Sequence, residues 1–257
     1  MEVGLRTPLL DFFRRGEVAY DVRLLAAQGA IAPRPLEQLG LLAFLTADHD
    51  PEIQRTAEET LAKIPQDLIS GFIARSDVPL ELREFFVKRG IPVAADALPD
   101  LEEALIDEDT TDYGPEPTTE QEKMSLLQRL ASMTVPDKVK AAMKGSREMR
   151  AILIRDPNKL VALAVLSSPK MTETEVSAIA RMGSVSEDVL RTIAQSRAWT
   201  KNYDVISSLV KNAKTPLAMS MNLLNRLSEK DLKGLSTNRN VPETLRIAAR
   251  KKIVMGG

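Results

Sequence analysis

The sequence predicts an all-α fold of stacked short helix pairs, and three observations carry that reading. Apolar residues recur at three- and four-residue spacings along most of the 257-residue chain, while the alternation of a half-buried strand is scarce. A pattern of proline, one or two variable residues, an aliphatic and often a basic residue returns along the chain and marks helix starts. Taking Pro136, Pro157, Ser186, Pro216 and Pro242 as markers, successive separations are 21, 29, 30 and 26 residues, room for two short helices per unit. Each pair has too little apolar face to fold alone, so neighbours must stack and share a core.

Taken in order, the first elements are the least determined. Leu9 to Phe13 and Val18 to Ala27 are apolar-rich and would either cap the first repeat or form a dimer contact. The paired phenylalanines Phe12, Phe13, Phe85 and Phe86 read as core. Helix starts follow at Pro51, Pro79, Pro136, Pro157, Pro216 and Pro242, with Val185-Ser186-Glu187-Asp188-Val189 as a version without proline. Proline suits the first turn because amides there have no intrahelical partner to lose. Asp50, Asp156 and Thr215 are placed to cap the helices they precede, and Thr172 with Glu175 has the spacing of a capping box. Second helices of each pair are expected after Thr172, Thr200 and Ser228. Their stripes, and that of the helix after the linker, are expected to face a core: Met124, Leu127, Leu130 and Met133; Val176, Ile179 and Met182; Val205, Leu209 and Val210. Gly145 should end one helix and Ser146 cap the next.

A net charge of −1 conceals a division. Residues 1–120 carry 11 Lys/Arg against 24 Asp/Glu, net −13, and residues 121–257 carry 24 against 12, net +12. Between Arg89 and Lys123 no basic residue occurs, and the stretch DEDTTDYGPEPTTEQ adds glycine, prolines and threonines to the acidic run. Like charges repel and resist packing. The expectation is therefore an N-terminal helical domain over 1–106, a solvated acidic linker over 107–121, and a C-terminal repeat domain over 122–257.

Several chemistries find no foothold. The chain has no cysteine, hence no disulfide, thiolate metal site or cysteine nucleophile. Its single histidine, His49, lies between Asp48 and Asp50 without further imidazoles, so a turn or capping role is expected and no metal site. The acidic run lacks the ligand order of a calcium loop and the rigid setting that catalytic carboxylates need. Glycine-rich phosphate loops and nucleophile elbows are absent. The sequence thus assigns no catalytic residue and no cofactor, and the expected protein is not an enzyme. Its start lacks the layout of a signal peptide, and no apolar run reaches about 18 residues. No membrane insertion and a cytoplasmic setting are the expectation.

The Pro-led starts, the aliphatic spacing after them, and the turn segments SRAWTKNYDV and KNAKTPLAMS together resemble HEAT-like and leucine-rich-variant helical repeat proteins of bacteria, over roughly 122–253 and more loosely over 35–90. The resemblance implies an α-solenoid, a right-handed stack of antiparallel helix pairs in one or two halves, with a surface that binds a partner. The basic half supplies the candidate interaction residues: Arg147, Arg150, Arg155 and Lys159 in one stretch beside Lys144, Lys211 and Lys214 at a helix junction, and Arg197 and Lys201 around Trp199 and Tyr203. Trp199 is either a plug between repeats or an anchor on a recognition surface. If the cations share a face, its anionic ligand is an acidic protein, a nucleic acid, or the chain's own acidic segment folding back. The leading expectation is a protein-interaction scaffold gated by the acidic linker. The alternative is a nucleic-acid-binding repeat resembling HEAT-like DNA glycosylases.

Overall fold

The structure is a computed structural model that describes residues 4–255 apart from 6, 32 and 102. Among the described residues it is all-α: sixteen α-helices, one 3-10 turn and no strand. They divide between two compact units, Met1–Lys170 and Met171–Gly257.

The first unit holds α1 (Pro8–Arg14), α2 (Tyr20–Ala27), α3 (Pro35–Leu45), α4 (Pro51–Lys63), α5 (Gln66–Ile73), α6 (Leu80–Lys88), α7 (Glu120–Ser132), α8 (Val135–Lys144), α9 (Arg147–Leu153) and α10 (Lys159–Leu166). Two of these helices form its centre. In α3 every residue but Leu36 and Phe44 is buried, and in α10 Leu160 to Leu166 are all buried. A helix buried all round needs neighbours on every side. Accordingly α3 packs against α1, α2 and α4, and α10 against α1, α8 and α9, while α2 also meets α8. Leu9, Leu10, Phe12 and Phe13 of α1 are buried in this core, as are Phe85 and Phe86, whose rings meet edge to face at 5.0 Å.

The described residues of 92–119 form no helix and run as a strap over the first unit. The strap is tied down at intervals. Ser70 Oγ donates to the Pro92 carbonyl (2.6 Å), and the amide of Leu98 donates to the Gly71 carbonyl (2.9 Å). A Cβ at Gly71 would lie 2.7 Å from Cγ of Leu98, so glycine there lets the strap approach α5 this closely. Further along, Arg75 pairs with Asp100 (2.9 Å), and the buried Gln38 bonds Leu105 and Ile106. The acidic segment 107–121 thus lies inside the first compact unit. Glu102 of that acidic run is outside the described residues.

The second unit holds α11 (Glu173–Arg181), α12 (Glu187–Gln195), a 3-10 turn (Trp199–Lys201), α13 (Tyr203–Lys211), α14 (Leu217–Leu224), α15 (Glu229–Thr237) and α16 (Glu243–Met255). Each buries one stripe: Val176, Ile179 and Ala180 on α11, Val189, Leu190 and Ile193 on α12, Val205, Leu209 and Val210 on α13, Leu232 and Leu235 on α15. α11 packs on α13, α13 on α14, α14 on α16 and α15 on α16. Side chains tie successive turns. Asn212 Nδ2 donates to the carbonyls of Ala180 (2.8 Å) and Met182 (3.0 Å) at the end of α11, groups that the helix itself leaves unpaired.

Caps account for where these helices begin. Asp50 caps α4, Ser146 caps α9 after Gly145 ends α8, Ser228 caps α15, and Thr172 with Glu175 forms the expected capping box of α11. Removing that box by Thr172→Ala is expected to cost about 1 kcal/mol in urea unfolding; an unchanged midpoint would mean that α11 is fixed by packing alone.

Four expectations are corrected. Met124 and Leu127 do not face a core, because α7 buries Leu126 and Leu130 and so turns the other stripe outward. Asp156 does not cap α10, which starts two residues beyond Pro157 with Asn158 as cap; Asp156 instead pairs with Lys138 at 2.9 Å. Thr215 does not cap α14, since Pro216 occupies the cap position and the Thr215 hydroxyl is buried without a hydrogen-bond partner. Finally α13 is capped by Asn202, Thr200 lying instead within the 3-10 turn.

Candidate functional site

The strap meets a cationic face built by α8, α9 and the residues after α10. Lys140 and Lys144 lie one turn apart on α8 and therefore on one side of it. Lys144 Nζ is 2.6 Å from Asp107 Oδ1 and 3.3 Å from Asp109 Oδ2, and it donates to the Asp109 carbonyl at 2.6 Å. Lys140 Nζ is 3.9 Å from Asp109 and 3.2 Å from Asp137. Further along the strap, the Glu116 carboxylate accepts from the backbone amides of Arg147 and Glu148 at the start of α9. Lys170 closes the edge by donating to the Lys144 carbonyl at 2.7 Å. Strap and face line an open polar cleft of about 630 Å³.

Asp109 is the best-held carboxylate of the strap. Burial pushes its carboxyl up, but hydrogen bonds from Thr111 and Tyr113, with the Lys144 ammonium beside them, outweigh that and hold it below the usual carboxylate range. Its partner responds in the opposite sense: burial first, then the hydrogen bond to Asp109, raises the Tyr113 hydroxyl far above the ordinary phenol range. Both stay in their donor and acceptor forms near neutral pH.

A second cluster lies in the second unit, in a cleft of about 380 Å³ lined by residues that include Arg181, Tyr203, Lys211 and Asp231. Lys211 Nζ lies 2.7 Å from Asp231, Tyr203 donates its hydroxyl proton to the same carboxylate, and the Ser228 amide donates to Tyr203 at 3.0 Å. The Lys211 ammonium, then the Tyr203 hydroxyl, hold Asp231 below the usual range. Arg181 is oriented by Ser208 (3.0 Å) and Ser177 (3.3 Å).

The candidate residues are therefore distributed over both units. Arg147 and Arg150 flank the strap cleft, Arg147 exposed and Arg150 buried with Nη1 donating to Gly145 (3.0 Å). Arg155 and Lys159 are exposed at the end of α9 and the start of α10. In the second unit, Tyr203 and Lys211 are brought together on Asp231, Lys214 reaches the Val185 carbonyl (3.5 Å), and Arg197 and Lys201 stand exposed around a half-buried Trp199. His49 lies exposed in the turn before α4, where Asp50 does the capping. Sequence reasoning missed Lys140, Lys170, Arg181 and Asp231. Only Lys140 left a signal, its four-residue spacing from Lys144; the others depend on contacts between helices.

Among the described residues no group of three or more His, Asp or Glu is arranged to hold a metal ion, and no helix is long and apolar enough to cross a membrane. No family model, curated protein or solved structure matches this chain.

Proposed function

We propose that this protein is a non-enzymatic scaffold or adaptor of the HEAT-like α-solenoid kind, acting in the cytoplasm, whose helical surface binds an acidic segment of a partner protein. The acidic strap gates that surface. What supports this reading is the occupancy of the α8–α9 face by the chain's own carboxylates: Asp107 and Asp109 on Lys144, and Glu116 on the amides that open α9. A surface that holds a tethered acidic peptide has the donors to hold another, and the tether sets the competition at roughly millimolar effective concentration. A partner must therefore offer more contacts than the strap, or meet a strap already displaced.

The test uses the full chain with Asp107→Asn, Asp109→Asn and Glu116→Gln combined. Binding of a labelled poly-glutamate peptide is expected to tighten about tenfold over the unmodified chain as the internal competitor is lost, and to survive moderate salt. A mixed-sequence DNA duplex is titrated alongside. Duplex binding that falls steeply with salt would favour phosphate recognition and overturn the protein scaffold. Failure to bind either probe would overturn the gate.

A further inference from the structure

The second unit uses one device twice and completes it once. α11 and α13 are each nine residues long, and each ends on a cation, Arg181 and Lys211. Lys211 is met by a carboxylate of a following helix: Asp231, the third residue of α15, lies 2.7 Å from its Nζ and also accepts from the Tyr203 hydroxyl. The third residue of α13 is instead Val205, wholly buried, and Arg181 is met by hydroxyls. Its Nε donates to Ser208 (3.0 Å) and its Nη2 to Ser177 (3.3 Å), while Ser208 donates its own proton to the Asp204 carbonyl at 2.6 Å. Two neutral acceptors fix the guanidinium plane without neutralising it. Among the described residues Nη1 has no partner. The carboxylate of Asp204, one turn before Ser208, also lines this cleft and has no partner among the described residues. Both side chains are exposed to solvent.

We infer that this cleft is a binding site for an acidic peptide, Arg181 taking one glutamate or aspartate side chain. The ligand class follows from the two uncommitted charges. A guanidinium held in plane presents N–H groups that match a carboxylate bidentately, and Lys211 with Asp231 shows the same helix position holding one. Asp204 selects among anions. Beside it a phosphate dianion meets like charge, whereas a peptide brings amide N–H donors next to its carboxylate, and those Asp204 accepts. The residues of this site come from α11, α13 and α15, so the inference stands whether or not the strap gates the α8–α9 face.

Amide spectra of the full chain, recorded by NMR during titration with an acetylated, amidated triglutamate, test this. The signals of Ser177, Ser207 and Ser208 are expected to move along one saturating curve. Arg181→Gln, checked for unchanged helicity, is expected to weaken that binding about tenfold, and Arg181→Lys, which keeps the charge but not the planar fork, by less. Ser208→Asp gives the guanidinium a carboxylate of its own and is expected to abolish the shifts with Arg181 intact. Silence at the three amides, or shifts that persist unchanged in Arg181→Gln, overturns the inference. Shifts confined to the α8–α9 face would overturn it too, while leaving the scaffold reading intact. Inorganic phosphate that binds at these amides more tightly than the triglutamate would likewise overturn it, assigning the cleft to phosphate.

Discussion

Gln38→Leu is expected to release the strap around Leu105 and Ile106 and to destabilise the first unit by roughly 2–4 kcal/mol. Gln38 is almost wholly buried within α3. Its Oε1 accepts from the amides of Leu105 (2.8 Å) and Ile106 (3.1 Å), and its Nε2 donates to the Ile106 carbonyl (2.5 Å). One side chain thus satisfies three backbone groups of a segment that has no ladder of its own. Leucine preserves the volume and removes every one of those bonds, leaving two donors and one acceptor to be satisfied by water or not at all. The chain can reach water only by peeling the strap away. Hydrogen exchange at residues 105 and 106 should therefore accelerate along with the fall in the urea midpoint. Gln38→Glu, which keeps an acceptor for both amides but loses the donor, should fall between. If exchange at these amides is unchanged in Gln38→Leu, the strap is held by its ion pairs rather than by α3. The outcome bears on the gate as well, since a strap loosened at Ile106 lowers the effective concentration at which Asp107 and Asp109 are presented to Lys144.

The sequence made the helical class legible because caps and prolines act locally. Asp50, Ser146, Thr172 with Glu175, and Ser228 each need only the next few residues to do their work, and each caps the helix read from it. The misses have one physical cause, namely that a neighbour in space decided between two local options. On α7, two apolar rows compete, and the row led by Leu126 is buried because α7 lies against α9 with that side. At Pro157 and Pro216 the start lies a residue or two later than the motif implies, since Asp156 is engaged by Lys138 and Thr215 is buried without a partner. The acidic run illustrates the limit of composition. Like charges do repel, yet along its path Lys63 pairs with Glu108, Lys140 lies near Asp109, and Lys144 pairs with both Asp107 and Asp109. Of the candidate surface, the basic stretch at 144–150 was visible as a run of cations. Its opposite wall was not, because that wall is made by residues more than thirty positions away. The two polar residues Glu37 and Gln38, set inside the apolar run PLEQLGLLAFL, were the overlooked signal. Adjacent polar residues at the centre of a wholly buried helix must each have a partner or a shifted pKa.

Glu37 has both, and this gives the first unit a pH-dependent stability. Its carboxyl is fully enclosed between the start of α1 and the end of α10, with hydrogen bonds from the hydroxyls of Thr7 and Ser167 and, among the described residues, Arg34 as its charged neighbour. Burial raises its pKa from 4.5 to about 7, more than the two hydroxyls and the guanidinium can lower it. Between those two values the folded chain binds a proton that the unfolded chain has released. Stability contributed by this site is therefore present in full below about pH 4.5 and is lost as pH rises towards 7. The full loss is at most roughly 3 kcal/mol, the linkage equivalent of the shift. Glu37→Gln keeps the shape and cannot ionise. Its unfolding midpoint is expected to match that of the unmodified chain near pH 4.5 and to exceed it progressively up to pH 8, by roughly 3 kcal/mol at the top of the range. Glu37→Leu separates the charge from the hydrogen bonds: it also removes the ionisation, but it leaves the Thr7 and Ser167 hydroxyls without their acceptor, so it should be destabilised at pH 4.5, where Glu37→Gln is neutral. Parallel pH profiles for Glu37→Gln and the unmodified chain would show that the carboxylate is solvated in the folded state, and would place water beside α3 where the packing leaves a closed core.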